Sequence, residues 1–147
     1  MSRVSPLPYE EISLGASIGR ILAGDIYAAN SLPHFSRVMM DGYALRSMDT
    51  DDKCIKSFKI IGDLPAGQLA NKPVKPGTCM MVMTGSPLPE GADAVIRREE
   101  VKLSGDLAII QNNVKSGANI DPPGSDVKAG TKAITSGTSI GAGEIAL

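Results

Sequence analysis

The segment CMMVMTGSPLPEGADAVIR, residues 79–97, decides the fold class. Its first six residues form an apolar run that ends in Thr84, which predicts a buried strand over residues 79–84. Glycines and prolines then interrupt any regular structure, and residues 92–97 resume an apolar pattern that predicts a second strand. Two strands joined by a short, proline-stiffened connection are typical of a β-rich fold.

Short strands and turns also account for most of the flanking sequence. A hairpin is predicted where residues 99–103 and 107–111 flank the turn sequence Ser104-Gly105-Asp106. Residues 63–77 are interrupted by glycine and proline throughout, so an irregular course is expected there. The other predicted strands cover residues 25–29, 54–62, 131–135 and the end of 31–46.

Two short helices are predicted near the ends of the chain. Apolar residues at positions 14, 18, 21 and 22 fall on one helical face, with Ser13 as the N-cap and Gly24 just past the C-terminus. A second helix is predicted to begin at Ser139. Because two helical turns bury little of an apolar face by themselves, we expect the natural chain to continue beyond Leu147.

Composition and charge place the chain among soluble globular proteins. Hydrophobic residues make up 42%, charged residues 21%, and the net charge is −1, all ordinary for such a domain. No basic block offers a surface for phosphates, so nucleic-acid binding is not supported. No apolar run reaches about 18 residues and the N-terminus lacks a signal-peptide layout, so we expect a cytoplasmic protein that does not span a membrane.

The sulfur-containing residues and the single histidine form no metal or redox motif. Cys54 and Cys79 lie 25 positions apart and His34 is the only histidine, which is not a zinc spacing. We expect both cysteines to be reduced, buried and unreactive, and His34 to be a surface or packing residue. Five methionines are expected to fill the core: Met39, Met40, Met80, Met81 and Met83.

The adjacent charged residues Arg97-Arg98 and Glu99-Glu100 do not predict a site. Adjacent residues of a strand face opposite sides of the sheet, so a strand cannot place both carboxylates on one face. A solvated strand edge is expected for both pairs.

Two segments offer candidate functional residues. Asp41 and Gly42 stand where a loop is predicted to enter a strand, an arrangement that projects a carboxylate from a rigid base while Gly42 allows close backbone approach or positive φ. Thr84 ends a buried strand and is followed by Gly85 and Ser86, so its hydroxyl and the exposed N–H groups are suited to an oxyanion. The residues alone leave open that Asp41 is a turn residue and that the second segment is only a rigid connection.

Several of these segments together resemble the MoeA/gephyrin-E family, the molybdopterin molybdenumtransferases. The resemblance runs from about Leu14 to Leu147, in matching order and spacing. Its motifs are LPHF, MDGYALR, GDLPAGQ, VMTGSPLPEGADAVIRREEV and a late G-x-N-I…G-x-D-V-x-x-G run.

The resemblance implies a role in molybdenum-cofactor biosynthesis. The family inserts molybdenum from molybdate into the dithiolene of adenylated molybdopterin, with Mg²⁺ and release of AMP. Its members are elongated homodimers of four-domain subunits, with the active cleft between the third domain of one subunit and the second domain of its partner. This chain would supply one wall of that cleft and, alone, bind no cofactor tightly.

Fold and site assignments follow from the same resemblance. The fold expected is mostly β (α+β): a barrel-like or sandwich domain over residues 25–128, resembling domain II, inserted into a small domain formed by residues 1–24 and 129–147, resembling domain I. The family's catalytic acid and hydroxyl match Asp41 and Thr84. Gly42, Gly85 and Ser86 are the expected substrate-binding residues, and no protein metal site is expected.

The chain departs from the family pattern at three places. Only residues 1–12 precede the first matching stretch, where the family has a long amphipathic helix. The family's D-[NR]-S-A before MDGYA is replaced by residues 36–39, SRVM. Basic residues common in the late run are replaced by Asp121 and two prolines, which removes positive charge expected to attract an anionic substrate.

Two alternatives to an enzymatic role remain open. The region could be a non-catalytic dimerisation or protein-interaction module, or a diverged protein without a cofactor role. A reading frame that continues past Leu147 into an α/β pterin-binding domain favours the enzyme, whereas a stop codon there favours the module.

Overall fold

The computed structural model describes residues 7–50 and 56–147. The chain divides into two compact units. Unit 1 combines Met1–Asn30 with Val127–Leu147, and unit 2 is the continuous segment Ser31–Asp126 between them. The boundaries predicted from the sequence are 24/25 and 128/129. None of the described helices is long and apolar enough to cross a membrane.

The fold is mostly β, as predicted. Its strands, in chain order, are β1 (Ile26–Tyr27), β2 (Arg37–Val38), β3 (Gly42–Leu45), β4 (Lys56–Leu64), β5 (Thr78–Val82), β6 (Ala94–Arg97), β7 (Lys102–Ser104), β8 (Leu107–Ile110), β9 (Ile120–Asp121) and β10 (Lys132–Ile134).

Unit 2 is built on one six-stranded sheet in the order β6-β3-β5-β4-β8-β7. The sheet curls into a half-barrel. Strands β4 and β5 pair in parallel, and the other neighbours are antiparallel. The predicted hairpin is present, since Ser104 pairs with Leu107 and Gly105 takes a φ of 62° in the turn. A separate two-stranded ladder joins β2 to β9.

The sheet of unit 2 is covered on both faces by apolar side chains. Tyr43 and Leu45 belong to one core cluster with Phe58, whereas Ala44 belongs to a second cluster with Val82. This alternation follows the twofold repeat of a strand, and all four residues of β3 are buried. A central strand buried on both faces explains why its sequence is apolar without interruption.

Cys79 confirms the expected inert thiol. Its side chain is fully buried, and burial raises the pKa of the thiol to about 12. A thiol that stays protonated at neutral pH is a poor nucleophile and metal ligand. Cys54 lies outside the described residues. His34 is exposed.

Unit 1 is held together mainly by backbone pairing. Strands β1 and β10 pair in antiparallel fashion, and an isolated bridge joins Ile21 to Ser139. The predicted C-terminal helix is present as α1 (Ala142–Ala146).

The helix predicted from Leu14 to Leu22 is wrong. Only the 3-10 helix Leu14–Ala16 forms, and Ser13 makes no side-chain cap hydrogen bond. Gly19 takes a φ of 77°, which ends any helix, and its N–H donates to the carbonyl of Ile140 at 2.8 Å. The segment therefore pairs as an extended chain, because that pairing satisfies backbone groups a glycine-weakened helix would leave frayed.

The strand predicted over residues 99–103 begins later than expected. Residues Arg98–Glu100 form a 3-10 helix, and β7 starts at Lys102. Glu99 and Glu100 therefore lie outside any strand and do not alternate across a sheet as predicted, although both are exposed.

Candidate functional site

The candidate site lies at a gap in an antiparallel ladder. Gly42 of β3 pairs with Val82 of β5, and Arg37 of β2 forms a bridge with Pro87. The two contacts lie five positions apart on both sides of the ladder, from 37 to 42 and from 82 to 87. Both contacts therefore belong to the same antiparallel register. Between them the regular pairing is interrupted, and Asp41 and Thr84 lie in the interruption.

The Asp41 carboxylate closes this gap. Its Oδ1 accepts two hydrogen bonds from Thr84, one from the backbone N–H at 2.8 Å and one from the hydroxyl at 2.8 Å. The carbonyl of Asp41 accepts the N–H of Arg98 at 3.1 Å. The predicted pair of acid and hydroxyl is thus in direct contact, although 43 positions separate the two residues in sequence.

Gly42 and Gly85 have structural reasons to be glycine. A Cβ on Gly42 would lie 2.0 Å from the carbonyl oxygen of Ile96, so the close approach predicted for this residue is present. Gly85 takes a φ of 86°, a conformation that side chains with a Cβ rarely adopt. Both glycines fix the backbone next to Asp41 and Thr84.

The predicted oxyanion cradle at Thr84-Gly85 is wrong, because its donors are already engaged. The Thr84 N–H and hydroxyl both point to Asp41, and the Gly85 N–H donates to the carbonyl of Val38 at 2.9 Å. Ser86 is fully buried, and its N–H donates to the Met83 carbonyl. The Ser86 hydroxyl has no hydrogen-bond partner among the described residues.

Asp41 is an exposed, ionised carboxylate. The backbone N–H of Thr84 is the main cause that lowers the pKa of Asp41, followed by the Thr84 hydroxyl and the positive charge of Arg98. Both hydrogen bonds fall on Oδ1, so Oδ2 has none among the residues that the structure describes. Since the Thr84 hydroxyl donates its proton to Asp41, its oxygen presents only lone pairs to the solvent.

Arg98 is a site residue that the sequence analysis missed. Its N–H is bonded to Asp41, and its charge acts on the Asp41 carboxylate. The dipeptide Arg97-Arg98 carries no signal of this, because the contact depends on the pairing of β3 with β6.

Three exposed methionines lie within two positions of Asp41 or Thr84 in the sequence. Met39, Met40 and Met83 are 47%, 42% and 41% exposed, so the expectation that they fill the core is wrong. Met80 is buried as expected, and Met81 is partly buried against the core. The gap explains why these three methionines are exposed while Met80 and Met81 are not. Residues next to Asp41 and Thr84 lie outside the regular strands, so their side chains do not alternate between core and solvent.

The GDLPAGQ segment lies beside the same gap. The Met83 N–H donates to the carbonyl of Leu64 at 3.2 Å, and Ala66 is the nearest neighbour of a Cβ placed on Gly85, at 3.9 Å. Three segments that the sequence analysis singled out are therefore adjacent in space.

Two of the departures from the family pattern meet in one ion-pair cluster. Arg37 pairs with Asp121 directly across the β2–β9 ladder, at 2.8 Å between Nη2 and Oδ2. Its guanidinium also makes two hydrogen bonds of 2.9 Å to Asp126. Asp126 and Asp121 together raise the pKa of Arg37. The acid at position 121 is thus neutralised within the fold.

The described residues contain no ready-made metal centre. No group of three or more His, Cys, Asp or Glu side chains within residues 7–50 and 56–147 is placed to hold a metal ion.

Comparisons with known proteins agree with this fold. The model of the MoeA N-terminal region (domain I and II) matches residues 1–147. Molybdopterin molybdenumtransferase of Staphylococcus epidermidis is 34% identical over 139 residues, which cover 92% of this chain and 33% of that protein. Gephyrin of Dictyostelium discoideum is 31% identical over 154 residues, covering 94% of this chain and 21% of gephyrin.

A solved structure gives the same result. The molybdopterin biosynthesis MoeA protein of Pyrococcus horikoshii OT3 superimposes with a TM-score of 0.84 and 36% identity, over 93% of this chain and 37% of that one. The chain thus spans about a third of the length of the molybdenumtransferase relatives it matches. With a family match over its whole length, the chain belongs to the family of MoeA N-terminal regions, which comprise domains I and II.

Proposed function

We propose that this protein acts in molybdenum-cofactor biosynthesis, in the step that inserts molybdenum from molybdate into adenylated molybdopterin. The observation that carries the proposal is the exposed Asp41–Thr84 pair, which the fold holds rigidly at a gap in the sheet. The family match supports the pathway, since relatives in that family are named molybdopterin molybdenumtransferases. In this proposal residues 25–128 act as domain II, residues 1–24 and 129–147 act as domain I, and the chain supplies one wall of an intersubunit cleft.

The chemistry of the pair suits a cation or a protonated group. An ionised carboxylate repels molybdate, so Asp41 does not bind that anion directly. Asp41 Oδ2 and the Thr84 oxygen instead present acceptors to the cleft. Asp41 therefore orients a Mg²⁺-bound water or a donor group of the pterin, while Thr84 holds the carboxylate in place.

The donor set fits a Mg²⁺ ion that is shared with substrate. Mg²⁺ is commonly bound by one or two carboxylates, with water and substrate phosphates as the remaining ligands. Asp41 would supply one such carboxylate, through the Oδ2 that Thr84 leaves unbonded. The ion would neutralise charge on the phosphate from which AMP is released.

The three expected substrate-binding residues act through the backbone. Gly42 lets β3 approach β6 closely, and Gly85 provides the turn that aligns Thr84 with Asp41. Ser86 is buried beneath that turn. They shape the substrate surface and donate no side-chain hydrogen bond to it.

We further propose that the protein is a homodimer that associates through unit 1. Among the described residues of unit 1 only Ser17 and Ile134 are buried. Leu14, Ile18 and Ile21 are each more than 60% exposed, and a cleft of about 1120 Å³ in this unit is lined largely by apolar residues. Apolar surface of this kind usually marks an interface, and the same surface supports the alternative of a dimerisation or interaction module.

An insertion assay separates the enzyme from that alternative. Purified protein is mixed with adenylated molybdopterin, molybdate and Mg²⁺, and AMP release is followed. The full-length gene product is expected to release AMP, whereas the 147-residue chain alone is expected to be inactive because it forms only one wall of the cleft. Full activity of the 147-residue chain would contradict the proposed cleft, and an inactive full-length product would support the module.

A further inference from the structure

Arg98 differs from the other arginines of the described residues in having no ion-pair partner. Four of the five form ion pairs: Arg20 with Glu10, Arg37 with Asp121 and Asp126, Arg46 with Asp49, and Arg97 with Glu100. Arg98 forms none with any residue in 7–50 or 56–147, and its side chain is exposed. Its guanidinium therefore keeps its donors available.

The backbone places Arg98 at the candidate site. Its N–H donates to the Asp41 carbonyl at 3.1 Å, and the 3-10 helix Arg98–Glu100 starts at this contact. The positive charge of Arg98 also lowers the pKa of Asp41, although the two side chains form no ion pair. The position is thus fixed while the side chain is free to meet a ligand.

The donors of the Thr84-Gly85 turn are not available to an anion. The Thr84 N–H and hydroxyl and the Gly85 N–H are all engaged within the fold. The acid of the late run does not compete for Arg98, because Asp121 is paired with Arg37.

We propose that Arg98 binds the oxyanion group of the substrate at this site. The ligand class is a tetrahedral oxyanion, either molybdate or the phosphate of an adenylated substrate. Guanidinium offers two parallel N–H donors to such a group. The inference rests on the proposed function, and it replaces the Thr84-Gly85 turn with Arg98 as the anion-binding element. In this arrangement Arg98 binds the anionic group, while the neighbouring Asp41 binds a cation or a hydrogen-bond donor.

The test measures anion binding by the 147-residue protein at low salt. Binding is observed by NMR, as shifts of the backbone amide and arginine Nε–H signals during titration. Molybdate and AMP are titrated separately, which distinguishes the free oxyanion from the nucleotide phosphate. Arg98→Gln should weaken binding by at least about tenfold, since it removes a charge-assisted hydrogen bond. Arg97→Gln is the matched control, with the same charge change one residue away and an expected effect within about twofold.

Asp41→Asn separates this inference from the proposed function. Removing the neighbouring negative charge should tighten anion binding by about two- to fivefold, whatever happens to insertion activity. Equal losses for Arg97→Gln and Arg98→Gln would show a diffuse charge effect and overturn the inference. Binding that is undetectable for the unchanged protein, or that leaves the Arg98 signals unmoved, would overturn it as well. If Arg98 binds the anion but Asp41→Asn is fully active in insertion, only the proposed function fails.

Discussion

Replacing Gly42 with alanine should lower the stability of the protein more than Gly85→Ala or Gly24→Ala does. A Cβ on Gly42 would stand 2.0 Å from the Ile96 carbonyl oxygen and 3.2 Å from the Cα of Arg97. Contacts of this kind below 3.0 Å are essentially absent from real structures. The obstacle is backbone of β6, so no side-chain rotation relieves it.

The size of the effect follows from that geometry. β3 and β6 must separate by about 1 Å at Gly42, and overpacking of this kind typically costs about 1–3 kcal/mol. We expect the upper end, about 3 kcal/mol, because the shift also strains the ladder contact between Gly42 and Arg97. For a chain of this length that lowers the melting temperature by about 6–12 °C.

Thermal unfolding followed by circular dichroism measures this, with two further glycines as controls. Gly85→Ala meets only Ala66 at 3.9 Å but keeps a φ of 86°, so it should cost about 1–2 kcal/mol. Gly24→Ala meets nothing within 4 Å and should leave the melting temperature nearly unchanged. A Gly42→Ala protein that melts within about 2 °C of the original would refute the reasoning and return Gly42 to a purely substrate-binding role.

Three further predictions concern the polar pair and unit 1. Thr84→Val should leave the melting temperature nearly unchanged, since the hydroxyl is exposed and the Thr84 N–H still reaches Asp41. The same change should impair insertion. A lowered melting temperature with normal insertion would make the hydroxyl structural. Because the folded pKa of Asp41 is lowered, its stabilising contribution is complete above the unfolded pKa and is lost as pH falls through the folded value. The stability difference between the unchanged protein and Asp41→Asn should therefore shrink below about pH 4 in urea unfolding, and a difference constant from pH 7 to pH 2 would contradict this. Ile18→Glu places a charge on the exposed apolar surface of unit 1. In sedimentation equilibrium it should convert the dimer to a monomer, without lowering the melting temperature of unit 2. An unchanged mass, or an unchanged protein that is already monomeric, would argue against the proposed interface.

Much of the strand content is predictable because the local pattern and the tertiary environment agree. The apolar run at residues 79–84 contains most of β5, although the strand ends at Val82 and not at Thr84. The turn at Gly105 forms the expected hairpin between β7 and β8. These features depend on neighbouring residues, so sequence suffices for them. The family resemblance added the order of the segments, and family membership is confirmed over the whole chain.

The errors arise where distant parts of the chain decide the outcome. The apolar spacing from Leu14 to Leu22 suits a helix, yet pairing with residues near Ser139 favours an extended course. Met39 and Met83 look like core residues until the ladder gap exposes them.

The donor groups of the site show the same limitation. The pattern identifies Thr84 and Gly85 as residues with polar groups, but only the fold shows that Asp41 and Val38 occupy those donors. Arg98 was missed for the complementary reason, since its closeness to Asp41 depends on which strands are neighbours.

The most direct test of the central claim is a double-mutant cycle on Asp41 and Thr84, measured as the insertion rate of the full-length gene product. Asp41→Asn keeps an oxygen that can accept the Thr84 N–H and removes only the charge, so the fold should persist while the rate falls by about 10²–10³-fold. Asp106→Asn, at the exposed β7–β8 turn, is the control and should be fully active. If Asp41 and Thr84 act as one unit, Asp41→Asn combined with Thr84→Val should be no slower than Asp41→Asn alone, within about threefold. If the double variant instead loses the product of the two single-variant effects on the insertion rate, a joint role is contradicted. If Asp41→Asn inserts molybdenum as fast as the unchanged protein, the carboxylate only connects two segments of the fold.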